Sequence, residues 1–416
     1  MSEPATPQAT ASALLRRPAL WLVPAVLTAL LALLLSLLYM GGILNPAQDL
    51  RDLPIALVDD DTGEPDLGAQ ITAAIARDDA GGKAEWRVVT RAEAQEQLDS
   101  GKVYGALVVP AGFSDAAGAL TTARATRRPT MIVLTNPGKG GLGSSLAAQI
   151  TTQAAHRASR VVGQRLTAAA GARATPTAKL LLADPVEVVT EVGHPIGNHS
   201  GIGLSAFYYT LLLVLAGFMG GNVISNGVDT ALGYADSEIG PWHTRRPTVP
   251  INRTQTLLLK MVMTAVISLV STALVLLACT SILGMDTPHA PLLWIYSYCA
   301  TLAVGLGVQA INAAFGGIGQ LVSLFVFIVL GLPSSGATIP LQAVPDFYRF
   351  LAHFEPMRQL SDGVRAILYF DARGDAGLTR AWVMIAIGVV LALLFGFAMT
   401  AYYDRKGHKR LTPQPA

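Results

Sequence analysis

The stretch TNPGKGGLGSS (135–145) sets Gly138, Gly140 and Gly143 in a G-x-G-x-x-G spacing, after the apolar run MIVL and before a helix-like run. In a dinucleotide-binding turn such glycines let the backbone approach a pyrophosphate at a helix N-terminus, and an acidic residue about 20 positions on holds the ribose. Here the next acidic residue is Asp184, and Lys139 is followed by Gly140 rather than the Ser or Thr of a P-loop. The glycines therefore read as a loose turn into a long helix, with Asn136 as turn former. The carboxylates of DDDTGE (59–64) invite a metal ion. A calcium loop fails there, because Gly63 and Gln70 stand where ligands are needed, so a solvated turn closing a strand is expected. His156, His194 and His199 are scattered and form no catalytic constellation. No enzyme activity, metal or cofactor is expected in this chain.

What must position these residues is mostly apolar. The 416 residues are 51% hydrophobic and 14% charged, far from a soluble average. The apolar residues gather in blocks long enough to cross a hydrocarbon core, which takes about 20 helical residues. These are 18–44, 203–228, a block from just after Lys260 to 284, two spans' worth between His289 and Asp346 broken at FGGIGQ, and 381–403. Six spans result. Residues 18–44 continue past any signal-peptide core and read as an uncleaved anchor. Arg16 and Arg17, then Arg245, Arg246, Arg253 and Lys260, then Arg405, Lys406, Lys409 and Arg410 mark one side. By the positive-inside rule that side is cytoplasmic and holds both termini. The C-terminal basic cluster is read as a topology signal. The expected location is the plasma (inner) membrane, with residues 1–17 and 404–416 as cytoplasmic ends.

Residues 45–202 are then outside, where no dinucleotide pool is expected. Short apolar runs alternate there with helical patterns, which predicts an extracytoplasmic α/β domain inserted between helices 1 and 2, with a mixed or parallel sheet. Its strands are LPIALVDD, EWRVVT, VYGALVVP, TMIVLT and PVEVVTEV. The only cysteines, Cys279 and Cys299, lie inside spans, so the domain folds without disulfides.

Within 203–403 the spans carry essentially no ionisable groups once Lys260 is counted as a boundary residue. That argues against a proton- or sodium-coupled path, and without a Walker A motif any ATPase is a separate chain. Two connecting segments stand out. Residues 235–260, overlapping a cytoplasmic segment at 229–256, combine Asp236, Glu238, a Gly240–Pro241 break, Trp242 and Pro247 with a helix opening near Asn252. They are expected to lie in the interface, half in lipid and half facing a cytoplasmic partner. Residues 333–370, within an outer segment 333–380, hold two short helices. Pro345 and Asp346 open the first, whose Phe347, Phe350, Leu351 and Phe354 form one apolar stripe; Pro356 ends it. The second sets Leu360, Val364 and Leu368 on one side and Arg358, Asp362 and Arg365 at ion-pairing spacings.

At these residues the chain resembles the permease subunits of type-2 ABC exporters. Glu238, Gly240, Pro250, Ile251, Arg253 and Lys260 resemble that family's cytoplasmic coupling pattern, although Ile239 replaces its usual basic residue. Gly336, Pro340, Pro345, Pro356, Gly363 and Arg365 resemble its outer re-entrant pattern. LPIALVDDDTG and GALVVPAGFS (105–114) are similar to the YhgE/Pip-like branch, which includes a yeast nitrosoguanidine-resistance protein. The resemblance implies a polytopic α-helical fold with six transmembrane helices and re-entrant helices between 5 and 6. It further implies a homo- or heterodimer in membrane lipid and a separate nucleotide-binding ATPase subunit holding ATP. Asp236, Glu238, Gly240, Trp242, Arg253 and Lys260 would couple to that ATPase. Pro340, Pro345, Phe347, Phe350, Phe354, Pro356, Arg358 and Arg365 would form the outer gate. The cargo expected is an amphiphilic small molecule or lipid, with no nucleic acid involved. The alternative is a cell-envelope scaffold or surface receptor, secretion- or phage-associated, whose exterior domain binds a partner without an ATPase.

Overall fold

The computed structural model describes residues 11, 15–78, 81–122, 127–170, 182–408 and 410. Lys409 of the basic cluster and most of the two terminal segments lie outside them. The first helix, α1 (Pro18–Gly41), is apolar around its circumference, and most of its large side chains are exposed. It touches the rest of the chain mainly at its C-terminal end, where Tyr348 Oη donates to the Leu37 and Leu38 carbonyls at 3.2 and 2.9 Å.

An α/β unit follows. Its strands β1 (Leu53–Asp59), β2 (Ala84–Val88), β3 (Gly105–Val109), β4 (Thr130–Thr135) and β5 (Glu187–Val192) form one sheet in the order β2-β1-β3-β4-β5. All neighbours are parallel except β3 and β4. Its helices are α2 (Leu67–Arg77), α3 (Arg91–Asp99), α4 (Phe113–Ala119) and α5 (Gly141–Ala170). β3 is buried at every position because helices cover both faces. Ala56, Val58, Ala106 and Val108 pack on Ala94 and Leu98 of α3. Leu57 and Leu107 face Ile71 of α2 and Ala155 of α5. Asp66 caps α2, and a Thr90–Glu93 capping box starts α3.

The helical bundle comprises α6 (Ser205–Ala231), α7 (Arg253–Leu277), α8 (Ala290–Phe315), α9 (Gly319–Leu324), α10 (Gly331–Ser334), α11 (Asp346–Leu351), α12 (Pro356–Tyr369) and α13 (Leu378–Arg405). Among the described residues, five stretches are long and apolar enough to cross a membrane: Pro24–Gly41, Ser205–Ala231, Arg253–Ile282, Ala290–Ser334 and Leu378–Arg405. This is a polytopic, mainly helical membrane protein. The 45-residue stretch Ala290–Ser334 is not straight. α8 stops at Gly316, whose φ of 61° and ψ of −132° suit glycine. The chain then doubles back, since a Cβ on Gly319 would lie 2.7 Å from Asn312 Cα and one on Gly307 2.6 Å from Phe327 Cζ. One expected boundary moves, since α6 runs through Asp229 to Ala231. α7 opens at Arg253 with Asn252 as its cap, as expected, and Lys260 lies seven residues inside it. Both charges thus belong to helices.

Candidate functional site

The candidate residues lie at two ends of the bundle, joined by α6. At one, the α/β domain rests on α12. This helix is amphipathic by sequence yet buried nearly all round, with Met357, Leu360, Val364, Arg365, Ile367 and Leu368 all enclosed. Gly363 packs so tightly that a Cβ there would lie 2.2 Å from Tyr296 Oη. The G-x-G-x-x-G turn does its work here. A Cβ on Gly138 would meet Phe370 Cζ at 2.9 Å, one on Gly140 would meet Arg365 Nη2 at 3.0 Å, and one on Gly143 would meet Tyr104 at 2.5 Å. The glycines admit protein, not pyrophosphate. Lys139 lies over the Tyr104 ring at 4.9 Å, and burial pushes its ammonium down to about 8.

Polar contacts ring this joint. His194 sits between two acceptors, Asp99 Oδ1 at 2.8 Å and the Tyr369 carbonyl at 2.6 Å, and stacks on Phe370. Lys102 pairs with Asp375 at 2.7 Å and Arg373 with Glu96. Tyr369 Oη bonds Ser205 Oγ at 2.7 Å, tying α12 to the start of α6. Arg365 does not pair with Asp362. It donates to the Gly336 and Ala337 carbonyls at 3.3 and 2.5 Å, leaving Arg358 and Asp362 as the ion pair at 3.9 Å. Glu355 caps α12, accepting from the Met357 and Arg358 N–H groups at 2.8 Å each. Burial raises its carboxyl to about 7 despite those bonds.

The residues expected to form one outer gate divide in two. Pro340 is buried, Pro345 caps α11 rather than occupying its first turn, and Pro356 opens α12. Arg358 and Arg365 are drawn toward α12's surroundings. Phe347, Phe350 and Phe354 are 54%, 65% and 71% exposed, Phe354 at the edge of an apolar cavity beside α12.

At the other end, the connection expected to lie amphipathically in the interface is a short hairpin, β6 (Ser237–Ile239) with β7 (Trp242–Thr244). Gly240 (φ 59°) and Pro241 form its two-residue turn. Glu238, Gly240 and Trp242 are exposed, Trp242 by 73%. Asp236 lies near His243 and Arg245 at 3.7 and 3.6 Å. Arg253 and Lys260 are not part of the hairpin. Arg253 donates from Nε to the His408 carbonyl at 2.8 Å and covers Tyr403. Lys260, 7% exposed, donates to Ser225 Oγ and Asp229 Oδ2 at 2.9 Å each. Arg410 pairs with Asp229 at 2.8 Å and stacks on Tyr234, so this member of the C-terminal cluster closes the bundle as well as marking topology.

Residues 24–388 match the family described as Protein of unknown function (DUF3533). The chain belongs to this family. It is also 26% identical over 136 residues to the uncharacterized protein YhgE of Bacillus subtilis (strain 168), a match covering 32% of this chain and 17% of that relative. The chain thus spans far less than two thirds of the relative's length. No solved structure matches it.

In this family member DDDTGE is a clasp rather than a solvated turn. Asp61 is 7% exposed and accepts from the Gly63, Gly68 and Ser114 N–H groups and from Ser114 Oγ. Burial raises its carboxyl, but these bonds outweigh it and the net shift is down. It joins the two stretches, 53–63 and 105–114, that carry the YhgE-like resemblance. Asp229, Glu355 and Asp404 escaped sequence reasoning. Glu355 was signalled by Pro356, since an acid before a first-turn proline is a cap. Asp404 accepts from the Arg253 and Thr254 N–H groups at 3.1 Å each, a link no local pattern announces.

Proposed function

We propose that this protein is the permease half of an exporter that moves an amphiphilic or hydrophobic substance out of the cell, energised by a separate ATPase subunit. In this reading Ala290–Ser334 crosses the membrane twice. Both termini and the β6–β7 hairpin are cytoplasmic, the α/β domain is outside, and the chain works as a homo- or heterodimer in the plasma membrane.

The observation that carries the reading is a cavity of about 340 Å³ between α8, the returning segment, α12 and α13. Phe327, Leu360, Ile385 and Phe395 help make its wall apolar, and Phe354 and Pro356 stand at the re-entrant side. Gln359 also lines it, is 2% exposed, and has an Oε1 without a partner among the described residues. Apolar walls with one free amide oxygen suit an amphiphile. α12 forms part of this wall and also carries the domain, so displacement of α12 would change cavity and joint together. The exposed hairpin, with Trp242 and Glu238 free of packing, suits a cytoplasmic partner that delivers the stroke.

The test is purification from native membrane in mild detergent, with mass spectrometry of co-eluting proteins and a vanadate-sensitive ATPase assay. A nucleotide-binding subunit in stoichiometric amount, lost in Glu238→Ala/Trp242→Ala, is expected. Envelope proteins in its place would favour a scaffold. That second reading draws on a groove of about 340 Å³ between α2 and α5, where Trp86, Arg157 and Arg165 line the exterior domain; it requires function to survive changes in 235–260 and to be lost on deletion of 53–192.

A further inference from the structure

A second cavity, of about 200 Å³, lies at the hairpin end of the bundle. Arg253, Lys260, Arg410, Asp229, Gln309 and Asn312 line it. Three cations thus face one carboxylate, and Asp229 is already held by both Lys260 and Arg410.

Besides Asp229 Oδ1, which is ion-paired with Arg410 Nη2 at 2.8 Å, three buried polar atoms of this lining have no hydrogen-bond partner among the described residues: Gln309 Oε1, Asn312 Oδ1 and Arg410 Nη1. The amide orientations are fixed by the network behind them. Gln309, wholly buried, donates its Nε2 to the Gly221 carbonyl at 2.9 Å and to Thr264 Oγ1 at 3.2 Å, so its oxygen is the free end. Asn222 donates to the Phe218 carbonyl at 3.0 Å and accepts from Asn312 Nδ2 at 2.9 Å, which leaves Asn312 Oδ1 free. A buried polar atom left unpaired costs about 1–3 kcal/mol, and three around one cavity call for an occupant that both accepts and donates. Lys260 lies seven residues into α7, about 10 Å along the helix from its start.

We infer that this cavity binds a phosphate group carrying a neighbouring hydroxyl or ammonium donor, as in a phospholipid headgroup or a soluble phosphomonoester. The phosphate oxygens accept from Arg410 Nη1 and from the guanidinium of Arg253. The donor group satisfies Gln309 and Asn312. Lys260 supplies charge from the rear wall while held by Ser225 and Asp229. This site is separate from the apolar cavity at the domain end and does not depend on which energy source drives the protein.

The test uses the full chain in detergent, delipidated and then followed by thermal unfolding and native mass spectrometry. The probes are mixed micelles containing phosphatidylglycerol, the same micelles containing only phosphatidylcholine, glycerol 3-phosphate and inorganic phosphate. Expected is retention of one phosphatidylglycerol per chain, with affinity falling about ten-fold or more in Arg253→Gln/Arg410→Gln. Asn312→Leu, which keeps every cation, should weaken binding less and narrow the preference for headgroups with a donor. Protection by glycerol 3-phosphate equal to that by the lipid would assign the site to a soluble phosphomonoester. Equal retention of phosphatidylcholine, no protection by any phosphate probe, or unchanged binding in a double variant that melts like the parent would overturn the inference.

Discussion

At the hairpin end, Trp242 is 73% exposed and β6 and β7 stand clear of the bundle, whereas at the domain end Arg365 is 5% exposed and α12 is enclosed on almost every side. The two segments have similar ingredients: prolines, aromatic residues and mixed charges between apolar spans. What separates them is a second layer. The α/β domain covers α12 from above while α6, α8 and α13 hold it from below. No comparable layer reaches the hairpin among the described residues. Composition alone does not decide burial. A segment is buried when another part of the chain can satisfy its polar groups, as Gly336, Ala337 and Tyr369 do at the domain end.

The sharpest way to break this contrast is to crowd the covered segment. Gly363→Val would press on Tyr296 Oη, which already stands 2.2 Å from where a Cβ would lie. It should cost about 3 kcal/mol or more, read as loss of the monodisperse peak in detergent chromatography. An equivalent change at Gly240 keeps the fold apart from local turn strain, because nothing lies within 4 Å of a Cβ there.

Next in size is a pH effect confined to the domain end. The folded Glu355 carboxyl sits near 7, above its ordinary 4.5. The folded protein therefore keeps a proton that the unfolded chain releases. Its stability is full below about pH 4.5 and falls as the pH rises through about 7, by up to about 3 kcal/mol. Thermal unfolding at pH 5 and pH 8 should show the drop, and Glu355→Gln should flatten it.

Smaller effects are expected at the rim of the joint. Lys102→Ala and Arg373→Ala remove partly exposed ion pairs and should each cost no more than about 1 kcal/mol, less in high salt. Smallest of all, Trp242→Ala and Glu238→Ala should move the melting free energy by less than about 0.5 kcal/mol, while removing the proposed ATPase subunit from the purified complex.

The strands and helices of the α/β unit were legible because each buries its own periodic face; strand order was not, because pairing β1 between β2 and β3 is a long-range choice. The membrane helices were legible by hydropathy and the start of α7 by its Asn252 cap, but not the end of α6: Asp229 stays inside that helix because Lys260 satisfies it, which no single-segment pattern reveals. The hairpin was written in the Gly240–Pro241 turn. The aromatic stripe Phe347, Phe350 and Phe354 was visible as a pattern, but a pattern does not say whether its face meets protein or lipid. The role of Gly138, Gly140 and Gly143 needed a partner surface far along the chain, because only the fold brings Phe370 and Arg365 against the turn.

The central claim is that the two segments work on opposite faces of a membrane. The native cysteines are few, Cys279 buried and Cys299 half-buried, so single reporter cysteines are practicable. Val88→Cys, 61% exposed in the domain, and Trp242→Cys in the hairpin would be probed in intact cells with a membrane-impermeant maleimide. The account predicts labelling of Val88→Cys at once and of Trp242→Cys only after permeabilisation. Labelling of both positions from the same side, or the reverse order, would contradict it.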